Sequence, residues 1–192
     1  MIHWIVRALA IVVFAFSALV VLDFAELLLF VEPDDTSAMA DTIPPCDGHV
    51  AAQGLGYRLW WEPSPGDVVL VHAAVTDAGE VIPDRDADDR TLILRVAAGS
   101  GDVIVGRDGT VFVDDVKFDD ILTEPFGPVT VPNEQYFLLG DNRSAAIDSR
   151  AFGPVLSSAI FARVFAVYWP AGDITFRLGQ SSGSPPGEIT CD

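Results

Sequence analysis

At 192 residues, half of them apolar, the chain can bury one real core, which excludes a second large domain. A formal net charge of −17 excludes nucleic acid as a natural partner, because phosphate binding rests on clustered Lys and Arg, and anionic lipid headgroups repel such a surface as well. The two cysteines, Cys46 and Cys191, fit no metal-ligand spacing, so no metal or cofactor is expected. In an oxidising compartment they could bond to each other if the fold brings them within reach.

After Arg7, an apolar run extends from Ala8 to Val31, broken only by Asp23 and Glu26 near its far end. It is long enough to cross roughly 30 Å of hydrocarbon, and residues 1–31 are expected to form a single membrane anchor. Arg7 lies on the short N-terminal side. The cytoplasmic bias of Lys and Arg therefore leaves the N-terminus inside and residues 32–178 as a periplasmic or extracellular domain of a single-pass cell-membrane protein. A cleaved secretory signal ending at Ala38-Met39-Ala40 is the alternative, although its apolar region would be longer than usual. Either way the main domain is exported.

Beyond the anchor, short apolar runs separated by Gly, Pro and Asp read as strands: Val68 to Val71, Asp102 to Val105, Thr110 to Val113 and Tyr136 to Leu139. Asp108-Gly109 between two of them is a hairpin turn. No amphipathic helix pattern of useful length follows residue 32. The expected fold class is therefore mainly β, with antiparallel strands in a partly closed barrel or packed sheets. Asp84 to Asp89 reads as a solvated acidic loop. Ala159 to Trp169 is too short for a second crossing and is interrupted by Arg163, so it reads as a buried strand. Residues 179–192, with Gln180 to Gly187 rich in Ser, Gly and Pro, read as a flexible tail.

Four blocks carry fixed spacing of special residues. Ser37-Ala38-Met39 is followed by Thr42, Asp47 and Val50, and then come Tyr57-Arg58 with Pro65-Gly66-Asp67-Val68-Val69. Arg95-Val96 with Gly101-Asp102-Val103, Gly109, Val111 and Val113 is the third block. The fourth runs Gly140-Asp141-Asn142-Arg143, Asp148-Ser149-Arg150 and Phe152 to Val155, closed by Tyr168-Trp169-Pro170. Singly such motifs recur by chance, but four in order behind an apolar N-terminus are specific. Together they resemble the type I signal peptidases, membrane-anchored proteases with a serine nucleophile and a lysine base.

The resemblance implies that Ser37 stands at the nucleophile and that the fourth block braces the site, its charges pairing across the loop. It also shows where the chain departs from the family. The lysine position just before Arg-Val holds Leu94, which cannot accept a proton. Asp35 occupies the place of the serine whose hydroxyl serves the oxyanion hole, and an ionised carboxylate there would repel the oxyanion. Ala146 occupies the place of the residue that orients the lysine. Asp41, Cys46 and Ser100 replace a proline, a glycine and a proline. Lys117, the single lysine, falls at a surface position of the family, and His49 and His72 lie in strand-like segments without motif support.

These residues together lead to the expectation of a protein that no longer cuts and serves as a binding or structural subunit of a membrane assembly. Its partners would be the membrane and other membrane protein subunits, or an extended peptide segment added as a strand. The alternative is an active signal peptidase that cleaves exported preproteins through Ser37 with an unusual base, a reading that retention of Ser37 and Met39 favours. A self-cleaving repressor-like relative using the same serine and lysine chemistry fails on the missing lysine.

Overall fold

The computed structural model describes residues 28–31, 36–43, 49–54 and 62–169. Most of the expected anchor, residues 1–27, and the expected tail lie outside the described residues, as do Asp35, Asp47, Tyr57, Arg58 and both cysteines. Among the described residues no helix is long and apolar enough to cross a membrane.

Twelve strands are described: β1 (Leu28–Val31), β2 (His49–Gln53), β3 (Val68–Val75), β4 (Val81–Pro83), β5 (Arg90–Ala98), β6 (Val103–Arg107), β7 (Thr110–Val113), β8 (Val116–Lys117), β9 (Phe126–Thr130), β10 (Gln135–Leu139), β11 (Val155–Leu156) and β12 (Ile160–Trp169). One short helix, α1 (Ser149–Phe152), and 3-10 turns at Ser37–Met39 and Ser157–Ala159 complete them. The larger sheet runs β1-β2-β12-β3-β5-β10-β11, with β4 on β3, and the smaller runs β8-β7-β6-β9. Their paired strands are antiparallel. The mainly β, antiparallel expectation holds.

One boundary moves. Leu28–Val31 belong to the apolar run assigned to the anchor, yet they form β1 and pair with residues 50–53 of β2. Asp23 and Glu26 precede this stretch, and a β-rich Leu-Leu-Phe-Val run after two charges serves as an edge strand as readily as a helix end. The expected buried strand at Ala159 to Trp169 is β12, held between β2 and β3 with a salt bridge from Arg163 to Asp67 at 2.9 Å.

Strand alternation explains the core. On β3 and β5 the cross-strand pairs Val69 with Leu94 and Val71 with Leu92 lie on one face, and Leu70 with Ile93 lies on the other. The first set joins Val96, Leu138 and Val155 in one apolar cluster, while Val68, Leu70 and Ile93 join Val50, Ala52, Ala162, Val164 and Met39 in a second. A third cluster packs Ala97, Phe137 and Leu139 of the large sheet against Ile104 and Val111 of the small one. Phe126 of β9 stacks on Phe137 across this junction at 5.5 Å. The hairpin between β6 and β7 turns at Asp108 and Gly109, both with positive φ (53° and 79°), the backbone that a tight two-residue hairpin demands.

A buried ion pair also ties the two sheets together. Arg143, in the loop after β10, pairs with Asp119 in the connection between β8 and β9, and its Nη1 donates to the Thr123 hydroxyl at 2.6 Å. Both charged side chains are almost fully buried. Replacing Asp119 by Ala would strand a buried guanidinium, so it should lower stability by about 3–5 kcal/mol in detergent-solubilised protein. Replacing the exposed Asp120, which pairs with Lys117, should cost about 0–1 kcal/mol, and urea unfolding of the two variants reads the contrast.

Candidate functional site

The turn that carries Ser37 owes its shape to contacts from the far end of the chain. Among the bonds that hold its backbone, Met39 N donates to Thr36 O at 2.9 Å, Asn142 Nδ2 donates to Ser37 O at 3.1 Å, and Asn142 N donates to Ala38 O at 3.0 Å. Met39, fully buried, anchors the turn in the second core cluster, and its sulfur accepts from Asp141 N at 3.4 Å. Gly140 makes the close approach possible. A Cβ there would lie 2.3 Å from the Ala146 methyl and 2.6 Å from Ala38 O.

Asp141 links this turn to β5. Arg95, buried and adjacent to Leu94, meets Asp141 in a two-pronged fork, Nε to Oδ1 at 2.8 Å and Nη2 to Oδ2 at 2.6 Å. Its Nη1 donates to Gly66 O at 2.7 Å, and the Thr42 hydroxyl donates to Asp141. Gly66, Thr42, Arg95 and Asp141 thus meet from all four blocks of the sequence.

The fourth block behaves only partly as expected. Asp148 caps α1 by accepting from Arg150 N at 3.0 Å and also pairs with the Arg150 guanidinium at 2.8 Å, so this pair does close within the loop. Arg143 and Asp141 do not pair there. Their partners are Asp119 in the connection between β8 and β9 and Arg95 on β5, because each lies too deep to remain unpaired. Ser149 donates no charge but its hydroxyl accepts from Leu138 N at 2.9 Å, which holds α1 against β10.

Ser37 and Leu94 come together. They line one small, open cleft, whose walls also include Ala38, Leu92, Arg90 and Ile147. Leu94 is buried there, with 1% exposure. Ala146 sits behind the cleft against Gly140, and Asp35 lies outside the described residues. Neither histidine lines the cleft. On β3, His72 projects to the face opposite Val71 and Leu94 and stacks on Phe161 at 4.0 Å. His49 stands on β2 against Tyr168, three strand positions from β5. Lys117 is half-exposed on β8 and paired with Asp120. Among the described residues no group of metal-ligating side chains is present.

Two parts of the site escaped sequence reading. Arg90 lies four residues before Leu94, and once β5 is recognised as a strand, its period of two puts both on one face. The ion pair of Asp119 with Arg143 had no sequence signal, since the two are 24 residues apart in a connection without motif.

A model of the family described as signal peptidase, peptidase S26, matches residues 1–169. The chain therefore belongs to the signal peptidase family. It is 32% identical over 140 residues to a probable signal peptidase I-2 of Synechocystis, covering 70% of this chain and 61% of that protein. It is 30% identical over 169 residues to a probable thylakoidal processing peptidase 2 of Arabidopsis thaliana, covering 84% and 44%. Thylakoidal processing peptidase 1 of the same plant is 33% identical over 103 residues, covering 51% and 30%. The chain thus spans between about a third and about two thirds of these relatives' own lengths.

Two outcomes test the clamp. Gly140→Ala should push the Ser37 turn off the loop, with an overpacking cost of about 1–3 kcal/mol in chemical unfolding. Burial, then repulsion from Asp141, raises the Asp41 carboxyl above its ordinary value, while Arg143 acts the other way. A raised acid contributes stability that is whole below the ordinary aspartate range and lost as pH rises through its folded value, so Asp41→Asn should lose less stability than the native chain as pH rises above the ordinary aspartate range.

Proposed function

We propose that this member of the signal peptidase family is a non-catalytic protein, anchored in the membrane, whose cleft binds an extended segment of another membrane or exported protein. The observation that carries the reading is Leu94, buried on the cleft floor beside Ser37 at the position where the family resemblance calls for the lysine base. A serine hydroxyl attacks a carbonyl only if a base within hydrogen-bond reach takes its proton. Leucine takes none, and neither histidine nor the lone lysine lines the cleft. Loss of one member of such a unit costs about 10⁴-fold in rate, and further losses do not add in proportion.

The same cleft supports binding. Val96 N donates to Asp67 O and Gly66 N to Val96 O, both at 2.8 Å, so the alternate residues Val96, Leu94, Leu92 and Arg90 turn their backbone groups toward β3. Thr91 and Ile93 then turn theirs the other way. There β10 ends opposite Arg95, and among the described residues no strand pairs with that side of residues 90–94. Ile93 lines the cleft although its side chain packs in the second core cluster, so its backbone is what the cleft meets. An extended segment would add there as a strand.

The second reading, an active peptidase, keeps support from the firm hold on the Ser37 turn and from the similarity to relatives named as peptidases. Purified full-length protein with a synthetic signal-peptide substrate separates the two. Equal and negligible turnover by the native chain and by Ser37→Ala is the expected outcome; cleavage that disappears in Ser37→Ala would remove the non-catalytic reading.

A further inference from the structure

The apolar floor of the cleft continues beyond its mouth. Leu94 and Leu92 on β5 and Val81 on β4 line the cleft, and β3 between them puts Val71 and Ala73 in the same apolar cluster. Val75 is the next residue of β3 on that face and pairs with Val81. It is 42% exposed, so the floor runs out into an open apolar shelf at the end of the β3–β4 hairpin. Resting on the reading that the cleft takes an extended segment, we propose that this shelf docks one end of that segment, and that this end carries an apolar residue flanked by lysine or arginine.

The charges around the shelf select the partner. The turn after Val75 carries Asp77 and Glu80, and the connection from β4 to β5 carries Asp84, Asp86, Asp88 and Asp89. All six are exposed, and the cations of these two segments are Arg85 and Arg90. The connection is fastened beside the shelf, because Asp89 Oδ2 accepts from Val75 N at 3.2 Å, and Asp84 Oδ1 accepts from Asp86 N at 3.0 Å. A partner that covers Val75 with an apolar side chain therefore puts its flanking residues among carboxylates, where a cation is held and an acid is repelled.

Strand geometry fixes the spacing. Leu94 pairs with Val69, and Val69 and Val75 lie on one face of β3 about 20 Å apart, at roughly 3.3 Å per residue. A ligand with an apolar side chain on Leu94 thus reaches the shelf about six residues further on, past Arg90, and its cations belong beyond that point. The net charge of −17 attracts any cation at long range, so a local preference has to be separated from the general field.

The test uses the full chain in mild uncharged detergent and fluorescent peptides in which an alternating Ala-Leu run is followed, or in a second set preceded, by three lysines, three serines or three glutamates. Anisotropy should show a lysine peptide binding about tenfold tighter than its serine counterpart and the glutamate peptide binding more weakly, with the difference shrinking as salt is added. Joint Asp77→Asn, Asp86→Asn and Asp88→Asn should abolish the lysine advantage. Joint Asp108→Asn, Asp120→Asn and Glu124→Gln, which remove the same charge from exposed positions beside the small sheet, should leave it in place. Undiminished binding of the serine peptide by both variants shows that they are folded. A lysine advantage that survives the first set, or falls equally with the second, would overturn the shelf, as would equal binding of all three peptides; both leave the cleft reading standing. No binding of any peptide to the native chain would overturn both.

Discussion

Arg95 and Asp141 lie at the point on which the rest of the structure depends. Both are buried, and two charges taken from water are tolerated only when their attraction is supplemented by further hydrogen bonds. Here those bonds come from Gly66 O, the Thr42 hydroxyl and the Asp141 backbone against Met39, so the fork gathers the first turn, β3, β5 and the loop after β10 into one knot. Such a pair contributes little to net stability against an apolar replacement of the same shape, but it is exacting about geometry. Because Arg95 is fixed on one face of β5, its neighbour Leu94 must project from the other, into the cleft.

This arrangement explains how the frame of a protease site persists around a residue that has no acid-base chemistry. The bonds from Asn142, from Asp141 and within the turn itself hold the Ser37 turn without involving the side chain at position 94. A catalytic lysine must sit in apolar surroundings to be neutral at working pH, and a leucine in the same surroundings satisfies the packing without any desolvation cost. The packing at this point therefore does not depend on the chemistry of the residue at position 94.

The smaller sheet is part of the same frame. Its connection between β8 and β9 supplies Asp119 and Thr123 to Arg143, while Arg143 Nε donates to Gly140 O at 2.9 Å. The loop that touches the Ser37 turn is thus gripped from both sides, by Arg95 on β5 and by the small sheet through Arg143. Arg150 adds a third hold by donating to Arg143 O at 2.8 Å. Stacking of Phe126 on Phe137 keeps the two sheets in register with this grip.

Much of this was legible in the residues. Runs such as Val68 to Val71 and Tyr136 to Leu139 became β3 and β10, and Asp108-Gly109 became the β6–β7 turn, because period-two patterning and positive-φ turn residues are local properties. The spacing of the four blocks likewise brought Ser37 and Leu94 into one place. What sequence alone could not decide was which charges meet. The Gly140 to Arg150 loop carries its own acids and bases, and only burial, which is a property of the folded whole, sends Asp141 to Arg95 and Arg143 to Asp119. The end of the apolar N-terminal run was ambiguous for the same reason, since Leu28–Val31 suits a helix end or an edge strand until β2 is there to pair with it. Sequence by itself determined the β class, the resemblance to the family and the leucine at position 94; the tertiary structure decided the pairing of buried charges and the face of β5 that lines the cleft, because both depend on contacts between segments far apart in the chain.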